Sequence, residues 1–181
     1  MSYPPDDVPP VPMELIEEVK GFLRLNHDED DAAIAQLLRS AARLCENFIG
    51  QVLIARSVRD RMPVRAEWQK LKKHPVQAIT LVEAVAPDGM LTSVPSMNYA
   101  LDIDSDGIGW IKLHPVTSIT RIAVTYEAGL AADWTSVPTT LRQGVVRLAG
   151  HLYSHRDGVD VGGPPSAVTA LWQPHRRMRV A

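Results

Sequence analysis

"SVPTTLRQGVVRLAGHLYSHRDG", residues 136–158, is the stretch on which the fold turns. Pro138 suits a first helical turn, because the N–H it lacks is one that a helix start leaves unpaired anyway. Leu141, Val145, Leu148 and Leu152 then recur at steps of three and four, which places them on one face. Gly158 can close the element. The spacing predicts a helix whose apolar stripe needs a partner, and the chain offers one near its other end.

That partner is "DEDDAAIAQLLRSAARLCENFIG", residues 28–50. Acids occupy its first turn, where the helix dipole favours them. Ile34, Leu37, Leu38, Ala41, Leu44, Cys45 and Phe48 repeat at helical steps, and Gly50 stands where a C-cap belongs. Cys45 falls on that apolar face, so it reads as core packing and not as a nucleophile. Ahead of it, "MELIEEVKGFLRL" (residues 13–25) repeats Leu15, Val19 and Phe22. The first dozen residues hold five prolines and predict an extended arm.

Between the helices the period changes. "VLIARSVRDRMPV", "QAITLVEAVAPDGMLTSV", "YALDIDSDGIGWIKL" and "SITRIAVTYEAG" are short runs rich in Val, Ile, Thr and Tyr, broken by Asp-Gly turns. Ile122, Val124 and Tyr126 alternate with Arg121, Ala123 and Thr125, the pattern of a half-buried antiparallel strand. Two hairpins and one longer strand are expected. The predicted class is α+β: a small bundle of amphipathic helices with an inserted antiparallel β region and an extended C-terminal arm. Its expected parts are an arm over 1–12, N-terminal helices over 13–51, the β region over 52–135, the C-terminal helix over 136–158 and a second arm over 159–181.

Composition excludes several classes. Hydrophobic residues at 45% and charged residues at 22% are globular values. A single cysteine rules out an internal disulfide framework. The longest uncharged runs are too short to span a bilayer, and "MSYPPDDVPP" has neither a basic nor an apolar leader region. A soluble intracellular product with no membrane partner is expected. Charge is uneven: residues 1–31 carry nine acids against Lys20 and Arg24, and the rest of the chain is net basic. An acidic end and a basic end suit different neighbours, or each other in a repeating assembly.

Three local signals carry possible chemistry. "DIDSDG" (residues 102–107) starts like a calcium loop through Asp102, Asp104 and Asp106, but Leu113 stands where the bidentate carboxylate is needed. A hairpin turn is the better account. His151 and His155 lie four apart on one helix face, as in some zinc sites, yet no general-base Glu follows His151 and no third ligand is evident. Lys70, Lys72 and Lys73, beside Trp68, form a basic loop that could meet phosphates. No phosphate loop, nucleophile elbow or carboxylate pair accompanies them. No cofactor and no catalytic residue are expected.

The chain closes on "PPSAVTALWQPHRRMRV", residues 164–180: a short apolar stretch, a Trp, a proline, and three arginines in four residues. Together, Val137 to Arg156 and this tail from Val168 to Arg179 resemble the head–tail connector, or adaptor, family of long-tailed phages and gene transfer agents. The resemblance covers roughly residues 13–180; Trp172 and His175 stand where a Leu and an aromatic are expected. It implies a non-enzymatic ring, usually dodecameric, under the capsid portal, with C-terminal arms gripping the portal protein and a stopper or tail-completion protein below. Such a ring assembles in the host cytoplasm and ends in the neck of the particle, passing DNA without sequence preference. It further implies a portal-binding arm of Ala170, Leu171, Trp172, Pro174, Arg176, Arg177, Met178 and Arg179. Lys70, Lys72 and Lys73 become candidate channel or DNA contacts. The competing class is a non-specific DNA-binding protein using those lysines and the terminal arginines; a small metal hydrolase built on His151 and His155 is a third.

Overall fold

Helix α3, Thr139–Ser154, forms where its stripe predicts it. Pro138 precedes its first residue and accepts the N–H of Arg142 at 3.1 Å. Leu141, Val145 and Leu148 are buried, and so are Gly144, Val146 and Ala149, so neighbours cover more of this helix than one stripe. Leu152 is only half-buried. The computed structural model describes residues 9–114, 119–155 and 163–177; Gly158 and the first eight residues of the N-terminal arm lie outside them.

Two units compose the chain, one of residues up to Ile54 and from Ala131 onward, the other of Ala55–Leu130. The first is helical. α1 (Met13–Leu23) and α2 (Asp31–Ile49) pack with α3. Gly50 closes α2 in the left-handed conformation at φ 73°, its N–H on the carbonyl of Glu46. Buried positions on α2 are Ile34, Leu38, Ala41, Ala42, Cys45 and Ile49. That stripe is centred a little further round the helix than the sequence pattern places it, which leaves Leu44 on its flank and exposed. Cys45 is fully buried, and burial pushes its thiol pKa well above the ordinary range. Phe22 is more than half exposed, yet its ring edge lies over Gly150, where a Cβ would come within 2.7 Å of it.

Acids of the N-terminal region are used inside this unit. Lys20 is buried on α1, with its ammonium 2.5 Å from Asp28, 3.1 Å from Glu17 and 3.2 Å from Asp31. Those carboxylates, Asp28 first, hold the Lys20 pKa above its ordinary value, and Lys20 holds that of Asp28 below its own. Tyr153 on α3 donates its hydroxyl to Asp30 at 2.5 Å, and Arg142 pairs with Glu18. Helix-dipole preference is thus only part of why the acids stand there; they also tie α1, α2 and α3 together.

The expected extended C-terminal arm is corrected over its described part. Ser166–Trp172 forms a short helix, α4, followed by a 3-10 turn over Gln173–His175. α4 packs on α3 because Val168 and Trp172 supply an apolar edge, and both are buried. Met178 and Arg179 lie outside the described residues.

The second unit is all β. Its strands are β1 (Arg56–Pro63), β2 (Gln69–Lys70), β3 (Val76–Val85), β4 (Leu91–Ser93), β5 (Tyr99–Ile103), β6 (Gly109–Leu113) and β7 (Arg121–Ala128). They form a four-stranded sheet ordered β1-β7-β3-β4 and a three-stranded sheet ordered β2-β6-β5, all pairs antiparallel. The two expected hairpins are β3–β4 and β5–β6; β7 and β1, eight residues each, are the strands outside them, and the longest strand is β3 with ten. β1 lies in the first expected run, residues 52–64, and β2, only two residues long, falls in none of them. β7 is paired on both sides, so Ala123 is buried along with Ile122, Val124 and Tyr126. The core gathers Leu71, Val82, Ile111 and Leu113 with Ile122, Val124 and Tyr126 of β7. Val52 to Ile54 and Ala131 belong with the helices: the Ala131 N–H donates to the Leu53 carbonyl at 3.0 Å.

Candidate functional site: the C-terminal segment and a basic loop

The C-terminal segment is held by one large side chain and a set of hydrogen bonds. Trp172 has no exposed surface and lies against Gly144 in the middle of α3. A Cβ at position 144 would stand 2.1 Å from the indole nitrogen, so only glycine leaves room for the ring. The indole N–H donates to the Leu141 carbonyl at 3.3 Å, and the Phe48 ring lies tilted against it with centroids 5.8 Å apart. Beyond it the backbone stays attached to α2. The Gln51 side chain donates to the His175 carbonyl at 2.8 Å, and the Arg177 N–H to the Ile49 carbonyl at 3.1 Å. The His175 ring meets the Thr140 hydroxyl at 2.8 Å.

Trp172 therefore serves the chain's own helices, which corrects its expected place as an anchor presented to a partner. The other arm residues divide around it. Ala170, Pro174 and Arg176 are exposed, and Leu171 and Arg177 are half-buried. Arg176 lies over the outer side of the Phe48 ring, 5.5 Å from its centroid, in a cation–π arrangement that leaves its guanidinium accessible. Phe48 was read as part of the α2 stripe but not as a neighbour of Trp172, and Gly144 was not singled out in the sequence. The signal was there: an isolated glycine inside a strong helical pattern costs about 1 kcal/mol against alanine and usually marks a close approach.

The basic loop lies in the β unit and is fixed from beneath. Asp60 on β1 is buried and accepts the Lys72 N–H at 2.7 Å and the Tyr126 hydroxyl at 3.0 Å. That hydroxyl in turn accepts the Lys73 N–H at 3.0 Å. Buried Leu71 pins the loop between them, its N–H on the Gly109 carbonyl at 2.8 Å. Lys70 and Lys72 point to solvent, Lys73 is half-buried, and Trp68 is exposed beside them. A charged pair of this kind can meet phosphates as point charges but can read no sequence.

The remaining signals take structural places. Residues 104–108 are the β5–β6 turn: Asp104 accepts the N–H groups of Asp106 and Ile108 on one oxygen, each at 2.9 Å, and the Trp110 indole N–H on the other at 3.0 Å. Both Asp104 oxygens are thereby built into the turn. His151 and His155 stack with centroids 4.2 Å apart, and His155 Nδ1 turns back to the His151 carbonyl at 2.8 Å. Among the described residues the one acidic or histidine cluster tight enough to hold an ion is Glu17, Asp28 and Asp31, and Lys20 sits in it.

The chain belongs to the head completion protein family, which its residues 14–161 match. It is similar to a chain in the neck of an empty gene transfer agent (GTA) particle computed with C6 symmetry, at 28% identity and a TM-score of 0.77, over 97% of this chain and 94% of that one. A chain in the virion of a native GTA particle matches at 26% identity and a TM-score of 0.75, covering 97% of this chain and 96% of that one. Another, in the neck of a native GTA particle computed with C12 symmetry, matches at 26% identity and 0.73 with the same coverage. No curated protein matches the chain.

Proposed function

We propose that this protein is the adaptor ring of a virion or GTA-like particle, joining the portal above to a stopper or tail-completion protein below and leaving a channel through which DNA passes. The likeness to neck chains over 97% of the sequence carries the proposal, since it includes both units and the C-terminal segment. Ring closure needs heterologous contacts between neighbours, each copy presenting one face to the next. The work is binding and not chemistry, and no enzymatic role is assigned. Assembly takes place in the host cytoplasm, and the final place is the particle neck.

The portal grip falls to the outer face of the C-terminal segment. With Trp172 seated against Gly144, Ala170, Leu171, Pro174, Arg176 and Arg177 form a short basic and apolar face, and Met178 and Arg179 continue the sequence beyond it. Arginine is favoured at such interfaces for its flat, multi-donor head. Lys70 and Lys72 suit a channel wall that touches phosphates weakly, because tight binding would stall the passing duplex. Co-expression with the portal protein, read by native mass spectrometry, tests this. The wild-type chain should assemble on the portal, and the double variant Arg176→Glu, Arg177→Glu should fail to while keeping its melting temperature. A variant that assembles as well as wild type would remove the segment from the grip. Tight, salt-sensitive binding of the isolated chain to random duplex DNA would favour the DNA-binding class instead.

A further inference from the structure

The helical unit carries a groove of about 340 Å³ whose walls include Pro9, Pro12, Leu15, Ile54 and Trp134. Its charged lining is Glu14, Asp133 and Arg142. Arg142 is already paired with Glu18, whereas neither Glu14 nor Asp133 has a cation partner among the described residues. Both acids are exposed, so they stand at the rim. The Asp133 carboxylate is fixed there. It accepts the Thr135 hydroxyl at 2.6 Å and the Ser136 N–H at 2.9 Å, and these bonds hold its pKa below the ordinary value. An apolar groove with two uncompensated carboxylates at its rim selects an occupant that is basic and apolar.

We propose that this groove receives the basic C-terminal segment of a second copy of this chain, with Arg176 and Arg177 meeting Glu14 and Asp133. The charges match. Arg176 is exposed and Arg177 half-buried, neither has a carboxylate partner among the described residues, and exposed Pro174 beside them is apolar. The placement matches too. The segment is held on α3 by Thr140, which meets the His175 ring at 2.8 Å, and by Gly144, on which Trp172 sits. Arg142, in the groove lining, falls between those two in sequence. At about 3.6 residues per turn it points about 180° away from their midpoint. Groove and segment therefore occupy opposite sides of the same end of α3. Ring closure needs that arrangement, because each copy must present two different patches that face opposite ways. The inference rests on the ring reading for the meeting of copies and adds which two faces meet. Arg176 and Arg177 also belong to the proposed portal grip, so the deciding variants lie on the groove.

The probe that needs no ring is a synthetic peptide of residues 173–181, carrying a fluorophore at its N-terminus and titrated with the full-length protein by anisotropy. Saturable binding is expected, weakening as salt rises. The double variant Glu14→Gln, Asp133→Asn removes both charges and keeps an acceptor oxygen for Thr135 and Ser136. It should bind the peptide about three- to tenfold more weakly, the loss expected of two exposed ion pairs. A peptide that does not bind at millimolar protein, or that binds both proteins equally, overturns the proposal. The second measurement identifies the chains. Glu14→Cys and Arg176→Cys are combined in one chain, assembled on the portal and treated with a short bismaleimide; buried Cys45 stays in place. A ladder of dimers, trimers and higher species on denaturing electrophoresis is expected, and neither single variant should give it. Dimers alone would show a two-fold contact and overturn the neighbour-to-neighbour arrangement. Complete rings without a ladder would overturn the contact and leave the ring reading standing. Peptide binding without any ring would count against the ring reading and leave the groove assignment standing.

Discussion

Gly144→Ala changes the protein in opposite directions depending on whether Trp172 is seated. In an ordinary helix interior this substitution stabilises by about 0.5–1 kcal/mol, because alanine loses less backbone entropy on folding. Here the new methyl would stand 2.1 Å from the indole nitrogen and 2.8 Å from two ring carbons, closer than any real contact. Either α3 shifts or the indole leaves, and the fully buried ring has no half-way position. Removing the ring outright, as in Trp172→Ala, is worth about 3–5 kcal/mol by analogy with other large-to-small core changes. For a cooperative chain of this length that corresponds to a fall of roughly 6–20 °C in melting temperature. Gly144→Ala alone should approach that loss. In the Trp172→Ala background the same substitution should reverse sign and stabilise by about 0.5–1 kcal/mol. Thermal and urea unfolding of the four proteins gives the cycle directly. If Gly144→Ala stabilises the wild-type chain, the indole does not occupy the slot and the account of the C-terminal segment fails.

Three further outcomes follow from single contacts. Asp60→Ala strands the Lys72 N–H and the Tyr126 hydroxyl in the β core, and should cost about 2–4 kcal/mol in urea unfolding, with Tyr126→Phe costing less because Asp60 keeps the Lys72 N–H. The Lys20–Asp28 pair contributes to the pH dependence of the helical unit. Asp28 has its pKa lowered, so its contribution is complete above the ordinary carboxylate value of 3.8 and is lost as pH falls below it; Lys20 has its pKa raised, so its contribution is complete below 10.5 and is lost only above that value. In Lys20→Met the part of the acid-side fall in melting temperature due to this pair should vanish, and an unchanged acid limb would show that the pair contributes nothing. Calorimetry with calcium should detect no one-to-one site at micromolar concentration on the residue 102–107 turn, since Asp104 is engaged by the turn itself and Leu113 lacks the bidentate oxygen.

How far the sequence was legible depended on whether each signal was local. Helical stripes in α2 and α3 are periodic over four turns or more, so their existence, their apolar faces and the Gly50 cap could be read directly. The Asp-Gly turns fixed two hairpins for the same reason. The run holding β1 was legible but its pairing was not, because β7 lies more than fifty residues on, and β2 was missed because it is two residues long. Pairing across such a separation leaves no local trace. The tail was misjudged for a similar reason. Its prolines and arginines suggested an unpaired strand, whereas its fate is decided by Gly144, twenty-eight residues earlier, and by Phe48 on a different helix.

That misjudgement changes what gripping a partner can mean for this chain. Had Trp172 been free, portal docking would order a loose arm and pay its conformational entropy at that moment. With the ring seated in α3 and the backbone tied at Gln51 and Ile49, most of that entropy is already spent in the free subunit. On the proposed portal grip, docking would draw on a preformed face, and affinity would rise by whatever ordering no longer has to happen. The two arrangements separate in one experiment. If the face is preformed, Trp172→Ala should weaken portal binding and lower the melting temperature of the free chain together, because both depend on the same pin. If the partner instead extracts Trp172 into a groove of its own, Gly144→Ala, which expels the ring, should strengthen portal binding while it destabilises the free chain. Measured on the same two variants, parallel losses support the preformed face, and opposite signs refute it.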